Sequence, residues 1–229
     1  MRLSSAAFIL LLLVCPKLFS QAPIESDTIK GTFERVETEA TFPGGIDEWR
    51  HFLERNLNPA VPVDNGAPCG KYTVYVQFIV DKDGRVSDIK PLTHLGYGME
   101  QEVVRIMKES GSRDPAVMKG KPVKAYRKQP VTFMVEQEGF NIASKTPYVL
   151  YTKTDNELTI DVEDLKAENM EVTISEGTIN RQVNGNFVAR VTKTGRVTIT
   201  VHNKKGKRKE IGAASFEVLK QPGAKDGAN

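Results

Sequence analysis

Four sets of residues in this chain are of types that could do chemistry. The first is Asp81-Lys82-Asp83-Gly84, whose carboxylates and glycine look like part of a calcium loop. An EF-hand loop with Gly84 at its sixth position would begin at Ile79 and end at Lys90, and neither supplies a carboxylate. The quartet therefore reads as a hairpin turn, with Gly84 free to take positive φ. The second set is Glu100 and Glu102, which could be offered as paired acids. At the start of a helix closed by Lys108 they fit the helix dipole better. The third is His51, His94, His202 and Cys69, too scattered for a metal site or a nucleophile–base pair. The fourth is Lys204, Lys205, Lys207, Arg208 and Lys209 around Gly206, a solvated basic turn that discourages strand pairing at an edge. No glycine-rich phosphate loop, GxSxG or HExxH occurs. The expectation is a protein that is not an enzyme, without cofactor or metal.

Chemistry being absent, the elements must explain the chain. Its 229 residues suffice for one large domain or two small ones. The only long apolar run, Ala6 to Val14, follows Arg2 and is closed by Pro16 and Lys17. It is too short for a bilayer core, which takes about 20 residues, but suits the apolar part of a secretory signal. A cleaved leader over 1–20 is expected, and an uncleaved leader as inner-membrane anchor is the alternative. Loss of Arg2 and Lys17 lowers the formal charge from +3 to 3 − 2 = +1, which leaves no argument for nucleic acid. Cys15 leaves with the leader, so Cys69 has no disulfide partner and reads as a small buried residue at a strand start.

Residues 21–39 are polar and read as a linker, with a short strand over Thr32 to Val36 as one option. Pro43-Gly44-Gly45 is a turn before a helix whose stripe is Ile46, Trp49, Phe52, Leu53 and Leu57, and Pro59 and Pro62 stop it. From Tyr72 the period becomes two: Tyr72, Val74, Val76, Phe78 and Val80 share one face. Val86 to Leu92 is the return strand of the hairpin. A second helix carries Met99, Val103, Ile106 and Met107 on one face, and Gly111 ends it. A last strand, Val123 to Val135, has Pro130 in mid-run. Proline lacks a ladder N–H, so this strand belongs at a sheet edge or a bulge. An edge offers unpaired main-chain groups to an extended peptide.

After Gly139 only strand signals remain. Leu158–Val162, Met170–Ile174, Ile179–Val183, Phe187–Val191, Val197–Val201 and Ser215–Leu219 alternate with turns, Asn184-Gly185 among them. This spacing predicts a small β-sandwich over 147–220. Residues 138–146 are a second linker and 221–229 a polar tail.

The ordered set Phe42-Pro43-Gly44-Gly45, Asn58-Pro59, Gly70, Val76 through Asp88, Glu102, Pro115, Gly120-Lys121-Pro122-Val123 and Pro130-Val131-Thr132-Phe133 resembles the TonB C-terminal domain family over 40–137. The resemblance implies an α+β domain, two helices on a three-stranded antiparallel sheet. It implies a role in the periplasm of Gram-negative cells, where the last strand pairs with a short segment of outer-membrane receptors. Carried over by position, the partner-binding strand is Lys128, Gln129, Pro130, Val131, Thr132 and Phe133, and the receptor-facing loop is Asn56, Leu57, Asn58 and Pro59. The sequence departs from the family at Asn58, where an aromatic is usual, and near Arg113, where a tryptophan is usual. It also has no long proline-rich reach.

The later strands, through Tyr148-Val149-Leu150-Tyr151, Asp155 to Ile160, Gly195 to Val201 and Phe216-Glu217-Val218, resemble the terminal Ig-like domain of the gliding-motility component GldM. That implies an extracytoplasmic interaction module. The expected whole is a TonB-like domain followed by an Ig-like sandwich, docking peptide segments of envelope proteins, with TonB-dependent receptors or transport machinery as candidates. The alternative is a structural or surface protein in which the edge is unused.

Overall fold

The computed structural model describes residues 31–222. The expected leader, most of the first linker and most of the tail lie outside the described residues. Strands dominate what is described. The three α-helices are α1 (Gly45–Asn56), α2 (Val61–Asp64) and α3 (Met99–Glu109). In the first part, β1 (Cys69–Val80) and β2 (Val86–Pro91) form the predicted hairpin, and β5 (Ala125–Val135) returns along β1. Between α3 and β5 lies a small hairpin the sequence reading did not contain, β3 (Ala116–Met118) with β4 (Lys121–Val123).

At the β1–β2 turn, the Asp81 carboxylate accepts the main-chain N–H groups of Asp83 and Arg85, both at 2.9 Å. It is spent on the backbone, as a turn aspartate is. Gly84 has φ 83°, and a Cβ there would stand 2.2 Å from the Arg113 carbonyl oxygen. Only glycine fits, and its own carbonyl accepts the Arg113 N–H at 2.8 Å.

β1 and β5 alternate as two-period strands must. Tyr72, Val74, Val76 and Phe78 with Val131, Phe133 and Val135 are buried on the helix side, together with Trp49, Val103, Ile106 and Met107. The other face is more open: Tyr75 is 45% exposed and Met134 49%, although Ile79 towards the end of β1 is buried. Ile46, expected on the buried stripe of α1, is 66% exposed. It sits in the first turn, at the rim of a small cavity against Phe78, Arg127 and Gln129 of the sheet rather than packed on it. Pro62, read as a stop, instead lies in the first turn of α2, where its missing N–H costs nothing.

The second part holds eight strands: β6 (Phe140–Ser144), β7 (Val149–Tyr151), β8 (Asn156–Val162), β9 (Met170–Ile174), β10 (Thr178–Arg181), β11 (Phe187–Arg190), β12 (Gly195–Asn203) and β13 (Lys209–Leu219). One sheet runs β10-β11-β8-β6, and the facing sheet contains β9, β12, β13 and β7. Phe140, Ile142, Leu158 and Phe187 of the first interleave with Ile199, Val201, Phe216 and Val218 of the second in one core. Residues 138–146, expected as a linker, are thus mostly strand. Phe140 and Ile142 are buried, and the alternation Phe-Asn-Ile-Ala-Ser is a half-buried strand too short to stand out.

The three-stranded sheet expected for 40–137 is not a separate sheet either. The start of β1 pairs in parallel with β13, Cys69 opposite Ala214 and Gly70 opposite Ser215, so β2-β1-β13-β12-β9 is continuous. A Cβ at residue 70 would stand 2.9 Å from the Ser215 carbonyl oxygen, which is why glycine occupies this seam. Arg196 reinforces it: its guanidinium lies 4.7 Å from the Tyr72 ring centre and donates to the Ser215 hydroxyl at 3.2 Å and the Lys71 carbonyl at 3.3 Å. Cys69 is buried in the sandwich core, and burial pushes its thiol pKa up. It is a packing residue, as read from the sequence.

Candidate partner-binding site

The six strand residues carried over by resemblance all lie in β5. Lys128 stands opposite Gln77, Gln129 opposite Val76, Pro130 opposite Tyr75, Val131 opposite Val74, Thr132 opposite Thr73 and Phe133 opposite Tyr72. In an antiparallel ladder, opposite residues alternate between pairs that exchange hydrogen bonds and pairs that do not. Tyr75 gives its N–H to the Thr93 hydroxyl at 3.2 Å, and its carbonyl accepts the Leu92 N–H at 2.7 Å. Both groups therefore point away from β5. Tyr75 and Pro130 are a non-exchanging pair, and the proline nitrogen faces out of the sheet, where no ladder bond is lost.

The same parity turns the main-chain groups of Tyr126, Lys128, Thr132 and Met134 outward and those of Gln129, Val131 and Phe133 inward. Tyr126 bears this out, because its N–H donates to the Phe33 carbonyl at 2.9 Å. Phe33 in turn donates to the Lys124 carbonyl at 2.9 Å. Phe33 is the one described residue of the expected Thr32–Val36 strand that bridges β5, and it covers only the first residues of the edge. Beyond Tyr126, the outward N–H groups of Lys128, Thr132 and Met134 have no main-chain partner among the described residues. Gln129 folds its side-chain amide onto the outward carbonyl of Pro130 at 3.2 Å, and the Thr132 and Thr73 hydroxyls share a 3.0 Å bond on the more open face.

The loop Asn56–Pro59 is placed by α3. Asn58 donates its N–H to Glu102 Oε1 at 2.7 Å, and Arg105 Nη2 donates to the Asn56 carbonyl at 2.7 Å. Arg105 also donates to both Glu102 oxygens, at 2.6 and 2.8 Å, and to Glu109 at 2.6 Å. The Arg105 hydrogen bonds hold the Glu102 carboxyl below its usual range despite its burial. Asn56, Asn58 and Pro59 are exposed and Leu57 half-buried. Strand and loop thus have different supports, β1 for one and α3 for the other. Glu102 suits the helix dipole from its place in the first turn of α3. Its pairing with Arg105 three residues on is the signal that reveals a second duty.

Arg113 lies in the segment that follows α3. Its side chain is 5% exposed and lies over three rings, 4.7 Å from the centre of Phe42, 5.0 Å from Trp49 and 5.9 Å from Phe78. Its hydrogen bonds go to the Ser110 hydroxyl at 3.0 Å and, more weakly, to the Ser110 carbonyl and the Met107 sulfur. No carboxylate pairs with it among the described residues. Burial pushes its pKa down to about 10. Cation–π contacts worth about 0.5–2 kcal/mol each offset part of a desolvation cost of several kcal/mol.

No group of acidic, histidine or cysteine side chains capable of holding a metal ion occurs among the described residues, and no described helix is long and apolar enough to cross a membrane. A family model described as the GldM third domain matches residues 139–219. The match starts one residue before β6 and ends with β13, so the strand expected as a linker belongs to the matched unit. It does not extend to β5 or to the Asn56–Pro59 loop. No curated protein matches the chain.

Proposed function

We propose that this chain is a non-enzymatic protein-binding module of the cell envelope, which captures an extended peptide segment by adding it as a strand to the outer edge of β5. The observation that carries the reading is the run from Lys128 to Met134, where the outward N–H groups of Lys128, Thr132 and Met134 have no main-chain partner among the described residues while the inward residues pair with β1. Main-chain hydrogen bonds would supply affinity, and alternate side chains selectivity. The resemblance of 40–137 to the TonB C-terminal family supports the same strand and makes this part the α+β member of the pair. It points to TonB-dependent receptors or transport machinery as the partner class. The GldM-like sandwich supports an extracytoplasmic place, the periplasm reached through a cleaved leader.

Proline substitution tests this through the parity of the ladder. Thr132→Pro removes an outward N–H and should weaken capture of envelope proteins crosslinked to β5, with far-UV circular dichroism unchanged. Val131→Pro removes an inward N–H and should unfold the domain. Undiminished capture by folded Thr132→Pro would exclude edge addition and leave the sandwich as the binding surface.

A second reading has its own observation. Phe33 already closes the first positions of the edge, and Lys128 and Pro130 are residues that protect edges from pairing at all. In that reading the chain is a structural envelope component and the edge is idle. Deleting residues 31–35 discriminates: capture should rise if Phe33 competes with a partner, and stay absent if the edge is merely protected.

A further inference from the structure

Between the start of α1 and β5 is a small cavity of about 90 Å³, lined by Phe42, Ile46, Trp49, Arg113, Arg127 and Gln129. That is room for several waters, and so for a carboxylate with its methylene. Its wall carries a buried cation. The buried Arg113 guanidinium is there without a carboxylate, held only by rings and by Ser110 and Met107. The N-terminus of α1 is there too, with no side-chain cap at Gly44, its dipole answered by Asp47 and Glu48 in the first turn. Arg127 adds a second cationic side chain to the lining, in loose contact with Glu39 at 3.5 Å.

Position gives this cavity its meaning. Arg127 and Gln129 project from β5 on the helix side, the face on which Val131 and Phe133 are buried. A strand added to the outer edge of β5 would place alternate side chains beside them on that same face, about 5 Å away. We infer that this cavity is a carboxylate subsite, receiving an aspartate or glutamate side chain of the peptide held on β5, beside Arg127 and against Arg113. The inference rests on the edge-addition reading above and adds to it the chemistry of the partner, an acidic residue at one register position. Glu39 is the internal competitor: its carboxylate occupies Arg127 when no peptide is bound.

Trp49 is the chain's sole tryptophan and stacks on Arg113, so its fluorescence reports on the cavity directly. The full chain is titrated with a tryptophan-free, valine- and threonine-rich decapeptide carrying one glutamate, and with its glutamine twin. The glutamate peptide should bind about tenfold more tightly and shift Trp49 emission. Glu39→Gln should widen the preference, and Arg127→Gln should narrow it. Arg113→Met should abolish it, and if that variant does not fold the two exposed-site variants still decide. Equal binding of the twins overturns the subsite and leaves strand capture standing. A saturable Trp49 response to acetate but not to chloride, lost in Arg127→Gln, supports the subsite even where neither peptide binds and strand capture falls. No response to acetate or to either peptide overturns it.

Discussion

The two parts of the molecule bury their sheets in different ways. In the sandwich, two sheets cover each other, and Ile199, Val201, Phe216 and Val218 are sealed by Phe140, Leu158 and Phe187. In the first part, one sheet face is covered by α1 and α3, while Tyr75 and Met134 on the other are about half-exposed. The first part also keeps an unpaired edge, whereas β13, which could have been an edge of the sandwich, is covered by β7 and by the start of β1. Pairing and burial are thus densest around β13, while the run of β5 beyond Tyr126 and the face that carries Tyr75 and Met134 stay more open.

The largest test of that contrast is Phe216→Ala. This fully buried ring is at the centre of the sandwich core, and truncation should cost about 3–5 kcal/mol in urea unfolding. Because the seam ties β1 to β13, one transition should move as a whole. Two separated transitions would show that the parts are independent and the contrast merely local.

Next is the seam itself. Gly70→Val forces a side chain against the Ser215 carbonyl and should cost about 1–3 kcal/mol. Hydrogen exchange should rise at the start of β1 and in β13, with less change in β10 and β11.

Glu102→Gln should cost about 1–3 kcal/mol by weakening the Arg105 and Asn58 bonds. Its pH dependence has a definite sign. The folded Glu102 pKa is depressed below the ordinary 4.5, first by Arg105. The stabilisation is therefore complete above that value and disappears as pH falls through the lower folded pKa. Stability of the native chain should fall faster than that of the Gln variant on acidification below the ordinary value, measured by urea titration at successive pH. Parallel curves would remove Glu102 as the anchor of the Asn56–Pro59 loop.

The smallest effect belongs to the more open face. Met134→Ser should change stability by no more than about 0.5 kcal/mol, since half the side chain is in water already. A larger loss in a thermal melt would mean that this face is packed after all.

Local period made much of this legible. β1, β2, α3 and β9 announce themselves by alternation or by a helical stripe, and Pro130 alone placed β5 at an edge. β6 was lost because five residues after a glycine give the period too little length. β3 and β4 were lost because three-residue strands have no period to read. The seam was invisible for a different reason: Gly70 and Ser215 are far apart in the chain, and nothing local in either marks the other. Ile46 followed the helical spacing but stands at the rim of a cavity, where spacing alone does not bury it. The candidate strand was found through a resemblance and through proline chemistry together. Arg113 was visible only as an oddity, since burial among Phe42, Trp49 and Phe78 is a fact of the assembled fold.

The ladder between β1 and β5 spans eleven residue pairs, whereas the seam between β1 and β13 spans two. If a captured peptide were pulled along its own axis, β5 would be loaded in shear, with all its rungs sharing the force. The seam would carry the same tension through a far shorter zip, helped by Arg196. Under load the molecule would part at Cys69 and Gly70 first, so the two halves would swing apart while the grip held.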